Sequence, residues 1–221
     1  MIATDEWLQR YIGYGENGEV FPMFILHPYK DCNADCPICY IRKENNYCAL
    51  DYGAKLSPEA TERFVKMCAR KNGCLFTGSG EPFLYWNEWT KPILLPLVKE
   101  YGARLVISTN GLWGSNDTII DEVIELQPDC ISFSVDWAHA TTVPLENVNH
   151  AIERLADPSV QTRIYMSQIT DDEHPLGHIK PLHFDDMVVV DYPIGDNSKA
   201  SFGNAQQPFV FHTSEGRCRR W

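Results

Sequence analysis

The chain has 221 residues, 44% of them hydrophobic, which is enough for one well-buried core and short for two ordinary domains. A formal net charge of -11 argues against a general electrostatic footprint for nucleic acid, and no apolar run approaches membrane-spanning length. Eight cysteines without an export leader at Met1 point to reduced thiols or a metal site in a cytoplasmic protein, rather than to a secreted disulfide framework.

Residues 1–20 read as an N-terminal extension. The apolar run Phe21 to Leu26 is the first candidate strand, followed by a cysteine-bearing loop, Asp31 to Tyr40, and a polar, Asn-rich connection. Ser57, Pro58 and Glu59 mark a helix start, with a capping hydroxyl, Pro at the first helical position and acid in the first turn. Phe64, Val65, Met67 and Cys68 give that helix one apolar side as far as about Lys71. Gly73 to Thr77 is a second strand, ending in Gly78-Ser79-Gly80-Glu81-Pro82. A helical pattern from Trp86 to Tyr101, bent at Pro92 and Pro96, leads to a third strand, Arg104 to Thr109, closed by Asn110-Gly111. Ser115-Asn116-Asp117 caps a helix through Leu126, and Cys130 to Val135 is a fourth strand ending at Asp136. Leu145 to Leu155 is helical, Val160 to Met166 is a fifth strand and Met187 to Val190 a sixth; residues 191–221 form a C-terminal tail. Strands alternating with helices imply βαβ units and a parallel sheet in an α/β fold. Ligands bind at the C-terminal strand edge of such sheets, where each polar cluster of the first half falls.

Cys32, Cys36 and Cys39 supply three thiolates within eight residues. A 4Fe-4S cube has four iron corners, so three thiolates leave one iron open to a small molecule. Other readings stay open on the residues alone. Cys36-Pro37-Ile38-Cys39 has the spacing of a thiol redox pair, which leaves Cys32 without a role, and a zinc site could recruit Cys48 or His27 as fourth ligand, without finger-like spacing.

Taken together, Cys32-x3-Cys36-x2-Cys39, Gly78-Ser79-Gly80-Glu81-Pro82, Ser108-Thr109-Asn110-Gly111 and Ser134-Val135-Asp136 resemble the radical S-adenosylmethionine (radical SAM) superfamily, from about Phe21 to Met166. The resemblance implies a partial (βα)6 TIM-like barrel over residues 21–190, with the cluster at its C-terminal mouth; as a separate expectation from its basic end, the tail of residues 191–221 folds over that mouth. It implies a 4Fe-4S cluster on Cys32, Cys36 and Cys39, with S-adenosylmethionine on the open iron. Gly78, Ser79, Gly80 and Glu81 would meet the methionine amine, Ser79 standing where the family usually has glycine. Ser108, Asn110, Ser134 and Asp136 would hold the carboxylate or ribose, and Ile38, with Tyr40, would pack near adenine. The implied reaction is reductive cleavage of S-adenosylmethionine to a 5'-deoxyadenosyl radical that takes a hydrogen atom from a small-molecule or peptide substrate in a biosynthetic pathway. An electron donor such as flavodoxin or ferredoxin is implied as partner. Activation of a glycyl-radical enzyme is the alternative within the class, and a thiol redox or zinc-binding structural protein the alternative outside it.

The other cysteines divide. Cys68, Cys74 and Cys130 lie in helix or strand patterns and read as core, whereas Cys48 and Cys218 have no assigned role; a lone Cys218 does not make an auxiliary cluster. His174 and His178 read as a solvated loop because Pro175 separates them. Arg217, Arg219 and Arg220 read as a solvated terminus, or as a grip on an anionic substrate.

Overall fold

The computed structural model describes residues 12–14, 20–26, 31–37, 39, 57–77, 80–170, 186–191, 210–212 and 218–220. Strand β1 (Ile12–Tyr14) pairs antiparallel with β2 (Val20–Leu26). From β2 the sheet is parallel and runs in chain order through β3 (Cys74–Thr77), β4 (Arg104–Thr109), β5 (Cys130–Ser134), β6 (Arg163–Thr170) and β7 (Asp186–Asp191). Six parallel strands whose spatial order is their chain order, with helices in the described crossovers from β2 to β6, make the partial (βα)6 barrel that the alternating pattern implies. A short hairpin of β8 (Val210–His212) and β9 (Cys218–Arg220) lies with β8 against β7 and β9 against β1.

The register separates the two sheet faces. Leu75, Leu105, Ile107, Ile131, Phe133 and Ile164 alternate onto the helix-covered face and are almost wholly buried. Phe76, Val106, Ser108, Ser132 and Ser134 take the opposite, concave face, where the serines cluster toward the C-terminal strand ends.

Helix α1 (Pro58–Arg70) starts as its sequence dictates: Ser57 Oγ accepts the Ala60 N–H at 3.2 Å, and Thr61, Val65 and Cys68 form its buried side. The bend expected at Pro92 is a wide π-helical stretch, Trp86–Leu94, which follows a 3-10 turn (Pro82–Tyr85) and continues as α2 (Leu95–Tyr101). Pro92 has no N–H to give, and in a normal α-turn its ring would press on the carbonyl four residues back; widening relieves both, and Leu95 N–H reaches back five residues to Thr90. Asn116 caps α3 (Asp117–Leu126) by accepting from the N–H groups of Thr118 and Ile119. Helix α4 (Leu145–Leu155) buries Val148, Ala151, Ile152 and Leu155, the aliphatic ones contributing about 1.5–3 kcal/mol each.

The fifth parallel-strand segment, expected from Val160, begins at Arg163 and runs to Thr170. The chain is still turning at Val160, whose N–H bonds the Asp157 carbonyl at 2.9 Å, while pairing with β7 keeps it extended as far as Thr170. Between β4 and α3, the turn Leu112–Ser115 packs so closely on α4 that a Cβ on Gly114 would lie 2.0 Å from the Asn147 carbonyl oxygen. That contact seats the turn after β4 against the first turn of α4.

Candidate cofactor site at the C-terminal mouth

The cysteine loop leaves the C-terminal end of β2 and crosses the ends of the next strands. It is anchored by Glu81 N–H, which donates to the Asp31 carbonyl at 2.9 Å, and by Tyr85, whose hydroxyl donates to the Asp31 carboxylate. Buried Ala34 plugs the loop into the core, and the Cys39 N–H closes a turn on the Cys36 carbonyl at 3.0 Å. Cys32, Cys36 and Cys39 are all half-buried, and none of them is in a disulfide.

The sulfurs of Cys32 and Cys36 turn to different flanks. Cys32 Sγ accepts from the Ala34 N–H at 3.4 Å and from Asn110 Nδ2, just past β4, at 3.5 Å. Asn110 Nδ2 also donates to Asn33 Oδ1 at 2.9 Å, and its Oδ1 accepts the Leu112 N–H, so the amide is locked between loop and turn. Cys36 Sγ lies 3.7 Å from Thr142 Oγ1 and beside the His139 imidazole, both in the turn after β5.

Their acidities diverge accordingly. Burial pushes the Cys32 thiol up and the negative charge of Glu81 adds to it, more than its two donors offset. Burial also works against Cys36, but hydrogen bonding and positive charge from His139 outweigh it and bring that thiol below its ordinary value. Burial alone would make His139 less basic; Asp136 and Cys36 reverse this and raise it to about 10, so the ring is an imidazolium at neutral pH.

Asp136, expected from the resemblance at the carboxylate or ribose, has its carboxylate on this turn. Its Oδ1 accepts the N–H groups of Ala138 and His139 at 3.0 Å each, and His139 Nδ1 stands 2.9 Å from both oxygens. Glu81, expected near the methionine amine, is held by partners within the chain. Its Oε1 accepts from Thr109 Oγ1 at 2.8 Å and the Phe83 N–H at 3.1 Å, and its Oε2 from the Asn110 N–H at 2.7 Å. Thr109 is on the helix-covered face of β4, so the carboxylate points into the packed layer, where it is 1% exposed and burial raises its pKa to about 7. The stacked rings of Trp86, Phe83, Trp113 and Phe133 surround this brace, and Trp113 Nε1 donates to Thr109 Oγ1 at 2.9 Å.

Ser108 and Ser134 sit on the concave face at the ends of β4 and β5, both half-buried. Gly80, at φ +73°, makes the left-handed turn before Glu81. Ile38, Tyr40, Gly78 and Ser79 lie outside the described residues, as do Cys48, His27, His174, His178 and Arg217. Cys68, Cys74 and Cys130 are buried core thiols, and burial pushes the first two up to about 12, too high for ready thiolate chemistry. The residue that sequence reading missed is His139. Its signal was present in the i, i+3 spacing from Asp136, directly past a strand end.

Thiolates with N–H and O–H groups aimed at them fit a sulfur-ligated iron centre, whose bound sulfurs are anionic acceptors. Among the described residues no three His, Cys, Asp or Glu side chains close around a single ion. The family model for the radical SAM superfamily matches residues 26–168, well over half the chain, and the protein belongs to that superfamily. It is a radical SAM enzyme, and its cofactors are those that define the superfamily, a 4Fe-4S cluster and S-adenosylmethionine. Among solved structures, native anSMEcpe with bound AdoMet is similar at a TM-score of 0.50 and 17% identity, over 66% of this chain and 44% of that one. BtrN in complex with AdoMet and 2-DOIA is similar at a TM-score of 0.46 and 18% identity, over 67% of this chain and 57% of that one. A curated gamma-resorcylate decarboxylase of Polaromonas sp. is 29% identical over 93 residues, covering 38% of this chain and 26% of that protein, too small a share to bring its activity here. The chain thus spans about a quarter of the curated relatives it matches and less than half of anSMEcpe. No described helix is long and apolar enough to cross a membrane.

Proposed function

We propose that this chain initiates a radical reaction on a small-molecule or peptide substrate in a biosynthetic pathway, with Cys32, Cys36 and Cys39 holding three irons of the cluster. The observation that carries the reading is the three-cysteine loop across the C-terminal strand ends, with Asn110 and Ala34 donating to one sulfur and Thr142 and His139 beside another. When bound, the cluster and S-adenosylmethionine supply a one-electron cleavage that yields a 5'-deoxyadenosyl radical for hydrogen-atom abstraction.

The chain's own residues bind, orient and exclude water. Ser108 and Ser134 on the concave face offer hydroxyls to the carboxylate or ribose of S-adenosylmethionine. The backbone of Gly78, Ser79, Gly80 and Glu81 serves the methionine amine, with the Glu81 side chain acting as the brace that fixes that backbone to β4. Ile38 and Tyr40 pack near adenine. Asn110 and Asp136 act at one remove, the first on Cys32 and the second on His139. Residues 21–190 form the catalytic barrel, residues 1–20 extend it and residues 191–221 cover its mouth. The protein works in the cytoplasm with flavodoxin or ferredoxin as electron donor.

Anaerobic purification with iron and acid-labile sulfide analysis tests this. About four irons per chain are expected, with 5'-deoxyadenosine formed on adding dithionite and S-adenosylmethionine. Alanine at Cys32, Cys36 or Cys39 abolishes both, whereas alanine at Cys130 leaves the iron content unchanged. Zinc without sulfide overturns the reading in favour of a zinc-binding structural protein.

A further inference from the structure

We propose, resting on the cluster reading above, that Asn110 is a positioning residue for Cys32 rather than a contact to S-adenosylmethionine. Its side-chain amide pins the cysteine loop through Asn33 and donates to the Cys32 sulfur, which raises the reduction potential of the cluster held there.

The amide is oriented by its oxygen. Asn110 Oδ1 accepts the Leu112 N–H at 2.8 Å, a contact that only the oxygen end can make, so Nδ2 is turned toward the cysteine loop. Its two N–H groups go to Asn33 Oδ1 at 2.9 Å and to Cys32 Sγ at 3.5 Å. The residue is only 5% exposed, so water does not displace these partners. With both N–H groups spent, none is left to offer the carboxylate of a cofactor.

The backbone beneath the amide is fixed without help from the side chain. Asn110 N–H donates to Glu81 Oε2 at 2.7 Å, Gly111 N–H to Thr109 Oγ1 at 3.1 Å, and Gly114 N–H to the Gly111 carbonyl at 3.0 Å. Gly111 turns at φ +82°, and a Cβ there would stand 2.7 Å from the Val148 side chain, so the turn is packed as well as bonded. The amide therefore reaches the loop from a rigid base.

A thiolate bound to iron stays an anionic acceptor, and hydrogen bonds to cluster sulfurs stabilise the more negative, reduced state. Ala34 N–H also reaches Cys32 Sγ, at 3.4 Å, but from within the loop, whereas Asn110 comes from the barrel, 78 residues further along the chain. The amide does not titrate, so its donation is the same at every working pH.

The test compares the full wild-type chain with Asn110→Leu, which removes both N–H groups, and with Asn33→Ala, which removes the loop's acceptor and keeps the bond to sulfur. In metal-free protein, backbone hydrogen exchange across residues 31–37 should quicken in both variants, since each breaks the link between loop and barrel. After anaerobic reconstitution without S-adenosylmethionine, redox titration followed by electron paramagnetic resonance should give a more negative midpoint in Asn110→Leu and a wild-type midpoint in Asn33→Ala. A purely structural role would move both variants alike. S-adenosylmethionine affinity in iron-replete Asn110→Leu should stay close to that of wild type, whereas losing a hydrogen bond to its carboxylate would weaken binding by about tenfold or more. Should the leucine variant fail to hold its cluster, wild type labelled with 15N at the asparagine side-chain amide supplies a second measurement. Its reduced cluster should show a weakly coupled amide nitrogen that persists in Asn33→Ala. An unchanged midpoint in iron-replete Asn110→Leu, equal shifts in the two variants, a tenfold loss of cofactor affinity or no amide coupling in wild type overturns the proposal. Wild type devoid of iron and sulfide fails differently, since it removes the cluster assignment itself.

Discussion

Cys32 and Cys36 are four residues apart on one loop, yet they are held by two unlike parts of the molecule. The Cys32 flank is built into the sheet: Asn110 follows β4, Glu81 is sealed behind it by three donors, and the aromatic stack from Trp86 to Phe133 closes the layer. The Cys36 flank is a short turn after β5, in which one carboxylate organises two backbone amides and an imidazole. One side presents a buried acid and a raised thiol, the other a half-buried imidazolium and a lowered one. Rigidity on the first flank comes from packing, and on the second from local hydrogen bonds, so the two respond to different perturbations.

The largest expected effect comes from breaking the packed flank. Trp113 is 6% exposed, its ring centroid is 4.1 Å from that of Phe83, and its Nε1 donates to Thr109. Trp113→Ala removes the stack, opens a cavity and takes a donor from the hydroxyl that serves Glu81, at about 3–5 kcal/mol. Denaturant unfolding of anaerobic protein measures this; a loss below about 1 kcal/mol would show that the Cys32 flank does not depend on its packing.

The next effect sharpens the electrostatic half of the contrast. Glu81 is raised to about 7 by burial, so in the window from the ordinary carboxylate range up to about 7 the folded chain keeps a proton that the unfolded chain has released. Stability therefore falls as pH rises through that window, by an amount on the order of 3 kcal/mol at full ionisation. Glu81→Gln removes this dependence. Unfolding free energies at several pH values between 5 and 7.5 should decline for wild type more steeply than for the variant, and parallel slopes would show that another group carries the proton.

The same contrast shows where the sequence was legible. Strand β4 and helix α4 read correctly to the residue because their alternation, punctuation and apolar spacing are local. The wide helical stretch around Pro92 was legible only as a bend, since how a chain accommodates a missing N–H depends on neighbours such as Thr90 and Pro82, joined by a 2.9 Å hydrogen bond. The three-residue strands β1, β8 and β9 are too short to carry a period. At the site, the cysteine spacing is plain in the sequence, but the internal partners of Glu81 and Asp136 are not, because a sequence does not show which donors arrive from elsewhere. Thr109 and Asn110, 28 and 29 residues away from Glu81, decide its direction. His139 escaped notice because Asp136 had already been given to the cofactor, though the pair is local enough to have been read as one unit.

The smallest expected effect separates the two donors on the Cys36 flank. Thr142 Oγ1 is 3.7 Å from Cys36 Sγ and 3.4 Å from the His139 carbonyl, both long contacts on a half-buried side chain. Thr142→Val keeps the shape and deletes the hydroxyl, so unfolding should change by no more than about 0.5 kcal/mol. His139 contributes more than Thr142 to lowering the Cys36 thiol, and Cys32 is raised for reasons on the other flank. In metal-free protein at neutral pH, iodoacetamide followed by peptide mapping should therefore label Cys36 ahead of Cys32 in wild type and in Thr142→Val alike. If the valine variant reverses that order, the hydroxyl rather than the imidazolium sets the acidity of this flank; if wild type labels Cys32 first, the two sides of the loop are not electrostatically opposed.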